Sequence, residues 1–192
     1  GPENDLAGVV LGQVFAIDEH GITNIPAAPP VFVAWASLPD LDHRLAGVRT
    51  LISGAAPLSP AVFEEFAVRA GQPVWEGYGL TEAAPVVAST LVERRPKPGC
   101  VGRPLPGVEV RLVDETGADA DPEDTGEIWV RGANLFSGYW PDGEGGPDAE
   151  GWYATGDVAY ADEDGDLHLV DRRRDLVIVS GFNVYPYEEI RR

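Results

Sequence analysis

Apolar positions in the first half of the chain recur at helical spacing or in short runs, whereas in the second half they alternate. Between Asp5 and His20, Leu6, Val9, Val10, Phe15 and Ile17 occur with few breakers, and Gly21 follows as a C-cap, so this stretch predicts a helix. Ile22 to Ile25 predicts a short strand, Pro29 and Pro30 open a second helix through Trp35, and Val48 to Ser53 predicts a buried strand. Ser59 is placed to cap a helix with Pro60 at its first position, and Phe63, Ala67 and Ala70 fall on one face of it, to the neighbourhood of Arg69. Pro73 to Glu76 is the next strand. The order strand, helix, strand, helix, strand predicts a parallel, right-handed α/β layer, which binds ligands at the carboxyl ends of its strands.

After Pro96-Lys97-Pro98-Gly99 the period becomes two. Val108, Val110 and Leu112 alternate with Glu109 and Arg111, Thr116-Gly117 turns, and Gly126 to Arg131 alternates again through Ile128 and Val130. Pro141 to Gly151, dense in Gly, Asp and Glu, predicts an exposed loop. Trp152 to Tyr160 and Leu167 to Asp171 predict a hairpin closed at Asp164-Gly165. The expectation is therefore α/β: a parallel α/β layer, an antiparallel β module and the start of a small C-terminal lobe. The corresponding divisions are 1–95, 96–171 and 172–192. Asp162, Asp164 and Asp166 do not form a calcium loop of the helix-loop-helix kind, because the glycine precedes the third acid instead of following it.

Composition adds that the chain is globular and can bury a real core, and no apolar run approaches the ~20 residues that a membrane helix needs. A single cysteine, Cys100, excludes an internal disulfide, and with no visible signal peptide the expected compartment is the cytoplasm. Gly1-Pro2 has the look of a tag-cleavage scar. A formal charge of −18 argues against a nucleic-acid partner. Half of the acidic residues lie from Asp114 to Asp166, where Arg131 is the only base, and the basic run Arg172-Arg173-Arg174 follows at once. Such a run is either a solvated counterpart of the nearby carboxylates or a site for an anion.

The candidate chemistry centres on Trp75-Glu76-Gly77-Tyr78-Gly79-Leu80-Thr81-Glu82. The glycines are expected to form a flexed turn with dihedrals closed to other residues; Tyr78 offers a ring face, Thr81 a hydroxyl, and Glu82 a carboxylate able to hold a hard cation. Ser53-Gly54-Ala55-Ala56-Pro57 leaves the preceding strand with side chains too small to fill space. If the two strands are neighbours, these loops wall a crevice able to take a flat ring.

Taken together, Ser53-Gly54-Ala55-Ala56-Pro57, Tyr78-Gly79-Leu80-Thr81-Glu82, Gly126-Glu127-Ile128, Gly151-Trp152-Tyr153-Ala154-Thr155-Gly156-Asp157 and Asp171-Arg172-Arg173-Arg174-Asp175 resemble the adenylate-forming acyl-CoA synthetase superfamily, and among its members the fatty acyl-CoA ligases. The resemblance implies small-molecule partners: ATP with magnesium, a carboxylic acid and coenzyme A. It implies attack of the acid on the α-phosphate, release of pyrophosphate, and displacement of AMP by the thiol. By similarity, Gly54, Ala55, Ala56, Pro57 and Tyr78 enclose adenine, with Glu76, Gly77 and Gly79 counted among the nucleotide-binding positions. Thr81 touches the α-phosphate, Glu82 holds magnesium, and Asp157 and Arg172 reach the ribose. Arg174 falls at the hinge between the lobes, and Gly181 on a loop that swings in beside the pantetheine arm.

The sequence departs from that family at Asp171, where glycine is commoner, and at Arg174, where lysine or aspartate is commoner. It also shows neither the Gly-rich phosphate loop with its lysine nor the C-terminal catalytic lysine, since Lys97 is the only lysine. The expectation is an internal piece of a longer ligase that does not adenylate by itself. Transfer to a carrier protein, or nucleotide binding without chemistry, are the alternatives that the same motifs leave open.

Overall fold

The computed structural model describes residues 6–93, 96–172, 177–179 and 182–184. The chain forms two compact units, one running to Gly77 and including the segment that ends at Gly99, the other holding Tyr78–Glu93 and the chain from Cys100 onward.

In the first unit, helix α1 (Leu6–Glu19) leads to strand β1 (Asn24–Ala27), helices α2 (Pro29–Ala36) and α3 (Leu41–Arg44), strand β2 (Thr50–Ser53), helix α4 (Pro60–Ala70) and strand β3 (Val74–Gly79). β1 and β2 pair in parallel with Asn24 opposite Thr50, and β2 and β3 in parallel with Ser53 opposite Glu76. Local chemistry explains α4. The Ser59 hydroxyl accepts from Val62 N at 3.3 Å, Pro60 occupies the first turn, and Gly71 ends the helix at φ 66. Its buried stripe, Phe63, Phe66 and Ala70, packs in a core with Phe32, Trp35, Leu41, Leu45, Leu51 and Val74, where the Phe32 and Phe66 rings meet edge to face at 5.1 Å.

The second unit holds strands β4 (Val86–Ser89) and β5 (Arg103–Pro104), antiparallel to each other, and the antiparallel sheet β6 (Val108–Val113), β7 (Gly126–Gly132), β8 (Tyr153–Ala161) and β9 (Leu167–Arg172) in sequence order. A two-stranded ribbon, β10 (Val177–Val179) with β11 (Phe182–Val184), follows. Ile128, Val130, Ala159 and Leu167 form a core with Val87, Ala88 and Val101. The parallel layer and the antiparallel module are the architecture that the change of period implies.

Two local expectations are corrected. β3 runs through Tyr78 to Gly79 instead of stopping at Glu76, so the glycines lie in extended chain, and neither Gly77 nor Gly79 is among the positive-φ residues. Gly79 is needed for space instead: a Cβ there would stand 1.9 Å from Pro85 O. The strand expected from Ile22 to Ile25 is set two residues later, because Gly21 at φ 60 and the Ile22 N–H to Ile17 O bond of 2.9 Å prolong the end of α1.

Candidate functional site

In the first unit the pairing of β2 with β3 makes the two motif strands neighbours. The loop after Ser53 carries Ala55, Ala56 and Pro57 exposed, with Ala55 at φ 69, in the left-handed region. Gly54 donates to Ala27 O at 3.1 Å, and a Cβ on it would meet Gly77 O at an ordinary 3.8 Å. Glu76 is 3% exposed, and its Oε2 accepts from Leu58 N at 3.3 Å, so its carboxylate braces the far end of the loop from inside. Burial pushes its pKa up to about 7, against backbone hydrogen bonds from Leu58 and Gly99 that lower it. Glu76 is thus a support for the loop, a role that its place in the motif does not announce.

In the second unit three motif positions far apart in sequence come together. The buried Tyr78 donates its hydroxyl to Asp157 Oδ2 at 2.7 Å across 79 residues. Asp157 lies on β8 directly opposite Arg172 on β9. The arrangement of Asp157 is built by neighbours: Gly156 has φ 76, its N–H donates to Glu127 Oε1 at 3.1 Å, and the Thr155 hydroxyl accepts from Asp157 N at 3.1 Å while donating to Ile128 O at 2.8 Å. The Gly126-Glu127-Ile128 motif therefore serves as the seat of the Gly156-Asp157 pair, with Glu127 and Thr155 as positioning residues.

Thr81 and Glu82 begin a 3-10 turn, Thr81–Ala83, directly after β3. Thr81 is exposed and Glu82 is half-buried. The turn is held at three points by the segment that follows β7: Phe136 N donates to Glu82 O at 2.8 Å, Asn134 Nδ2 donates to Ala83 O at 2.7 Å, and the Tyr139 hydroxyl donates to Glu82 Oε1. The Tyr139 hydrogen bond lowers the pKa of Glu82, and the same bond, with a further contact from Tyr153, raises that of Tyr139. Glu82 is consequently an ionised, oxygen-only donor beside the Thr81 hydroxyl, chemistry that suits a hard divalent cation. Tyr139 escaped the sequence reading because a lone tyrosine in a glycine-rich loop carries no periodic or spacing signal.

Arg174 and Gly181 lie outside the described residues, and Arg172 is described only as a position on β9. Asp162, Asp164 and Asp166 do converge, with carboxylate oxygens within 4.8 Å of one another. Asp162 accepts from Asp164 N and Asp166 N at 3.0 Å and pairs with His168 at 2.9 Å, while Asp166 lies 3.5 Å from Arg103 on β5. No described helix is long and apolar enough to cross a membrane.

A family model described as "AMP-binding enzyme" matches residues 9–140. A long-chain-fatty-acid–CoA ligase of Yersinia pestis is 38% identical over 182 residues, covering 93% of this chain and 32% of the relative. A 4-coumarate–CoA ligase 1 of Glycine max is 39% identical over 184 residues, 90% of this chain and 62% of the relative. Among solved structures, that of ATP-bound MatB from Rhodopseudomonas palustris superposes with a TM-score of 0.84 at 35% identity, covering 93% of this chain and 36% of the other. The chain thus spans about a third of the length of the Yersinia pestis ligase and of MatB. With the matched segment making up most of its residues, the chain belongs to the AMP-binding enzyme family.

Proposed function

We propose that the chain is the nucleotide-holding part of an ATP-dependent acid–thiol ligase that activates a fatty acid as acyl-AMP and passes it to coenzyme A. The observation that carries the reading is the meeting of Tyr78, Asp157 and the Arg172 position, drawn from three separate segments of the chain. Asp157, held in place by the Tyr78 hydroxyl at 2.7 Å, is the carboxylate to accept a ribose hydroxyl. Thr81 donates toward the α-phosphate. Glu82 is the residue to hold magnesium, which when bound neutralises phosphate charge as pyrophosphate departs. Gly54, Ala55, Ala56 and Pro57 contribute to the adenine side because they present backbone and little else. A coenzyme A role for Gly181 and a hinge at Arg174 complete the proposal.

The acid is the finer part of it. A fatty acid is favoured by the Yersinia pestis relative, and an aromatic acid is the second reading because the 4-coumarate ligase is equally similar. The test is calorimetric binding of palmitoyl- and 4-coumaroyl-sulfamoyl adenosine, stable mimics of the two acyl-adenylates. Adenosine-dependent binding that weakens about tenfold in Asp157→Ala, the loss of about 1.4 kcal/mol expected for a hydrogen bond to a charged acceptor, supports the reading. Binding indifferent to Asp157→Ala refutes the ribose assignment, and preference for the coumaroyl mimic transfers the protein to the second reading.

A further inference from the structure

The Tyr139 hydroxyl on Glu82 is produced by a loop with its own construction. Tyr139 N donates to Glu144 O at 2.8 Å and Gly143 N donates to Tyr139 O at 2.8 Å, so the backbone of Tyr139 is fixed on both sides. Gly138 stands at φ 130, where a Cβ would lie 1.9 Å from Gly143 O, and one at Gly146 would lie 2.7 Å from Ser137 O. Only glycine lets the two arms of the loop close this tightly. On the other side the Phe136 ring meets Tyr139 edge-on at 5.0 Å and Tyr153 at 5.3 Å. An exposed tyrosine would ordinarily hydrate its hydroxyl; Tyr139 is 52% exposed and yet held at backbone and ring with that hydroxyl on the carboxylate.

We propose that Tyr139 is a positioning residue for the metal-binding carboxylate: its hydroxyl occupies Oε1 of Glu82 and leaves Oε2 as the oxygen presented to the divalent cation of the nucleotide. The inference rests on the reading of Glu82 as the magnesium ligand. The same loop that orients the side chain also holds the turn by its backbone at Glu82 O and Ala83 O, so the carboxylate is fixed at both ends. Outer groups that orient a metal ligand are typically worth about 10–100-fold in metal affinity.

The test is titration of the 192-residue chain with manganese and ATP, free manganese being followed by electron paramagnetic resonance, beside ATP binding in excess EDTA. Tyr139→Phe deletes one oxygen from a half-exposed ring and leaves the ring packing. The expected result is about tenfold weaker metal-dependent binding, with ATP affinity in EDTA and the melting temperature unchanged. Equal manganese affinity in Tyr139→Phe, where Glu82→Gln weakens it, overturns the inference and leaves the Glu82 assignment standing. Parallel weakening with and without metal overturns it as well, because the tyrosine then acts on the fold alone. Metal affinity that is absent, or untouched by Glu82→Gln, removes both the magnesium assignment and this inference.

Discussion

Replacing Glu76 by glutamine should abolish a pH dependence of stability that the buried carboxyl imposes on the first unit. An unfolded glutamate loses its proton near 4.5, whereas Glu76, kept 3% exposed behind the Gly54–Pro57 loop, loses it at about 7. Between those values the native state binds more protons than the unfolded state, so stability falls as pH rises through this window and is level below and above it. The displacement corresponds to at most about 3.5 kcal/mol, at about 1.4 kcal/mol per pKa unit, and to about 2 kcal/mol if solvent reaches part of the carboxyl. Glutamine mimics the neutral carboxyl and retains an oxygen for Leu58 N. Urea denaturation of both proteins between pH 4 and 8.5, roughly the range that brackets both pKa values, gives the difference curve. That difference should be flat at the acid end and then move by about 2–3 kcal/mol in favour of Glu76→Gln by neutral pH. A constant offset cancels out of the comparison, so a general loss of packing cannot imitate the effect. Parallel curves would refute the reasoning, since they would mean that the carboxyl ionises as freely in the folded protein as in the unfolded one.

Gly79→Ala should destabilise the second unit by about 3 kcal/mol or prevent its folding, because the added Cβ collides with backbone at Pro85; Gly12→Ala, in α1 with nothing within 4 Å of the new methyl, should add about 0.5–1 kcal/mol in the same denaturation assay. Tyr78→Phe should cost about 1–2 kcal/mol of stability by depriving Asp157 of its 2.7 Å donor, and its effect should vanish in the background of Asp157→Ala, a double-mutant cycle read by thermal unfolding.

Elements whose causes are local were legible in the chain. Ser59, Pro60 and Gly71 cap α4 through bonds to residues a few positions away, and the alternation from Val108 to Leu112 fixes a strand whichever neighbour it finds. The short helix α3 and the strands β4 and β5 were not, since their two to four residues show no helical or alternating period. The motifs named the residue types of the site, but not how they are held. Sequence read Gly77 to Gly79 as a turn because glycine permits one; in the fold β3 continues to Gly79, where the backbone of Pro85 passes too close for a Cβ and accepts from Leu80 N at 2.8 Å. Asp157 stood out by its company with Gly156, yet the Glu127 beneath its backbone arrives through the pairing of β7 with β8, from roughly 30 residues away, and its donor Tyr78 comes from β3, 79 residues away, so both are tertiary contacts. Tyr139 is the extreme case. Its hydroxyl reaches Glu82 only through a loop closed by Gly138 and Gly146, so the pattern of the chain carried the motifs of the family, and the tertiary structure decided which side chains hold the motif residues in place.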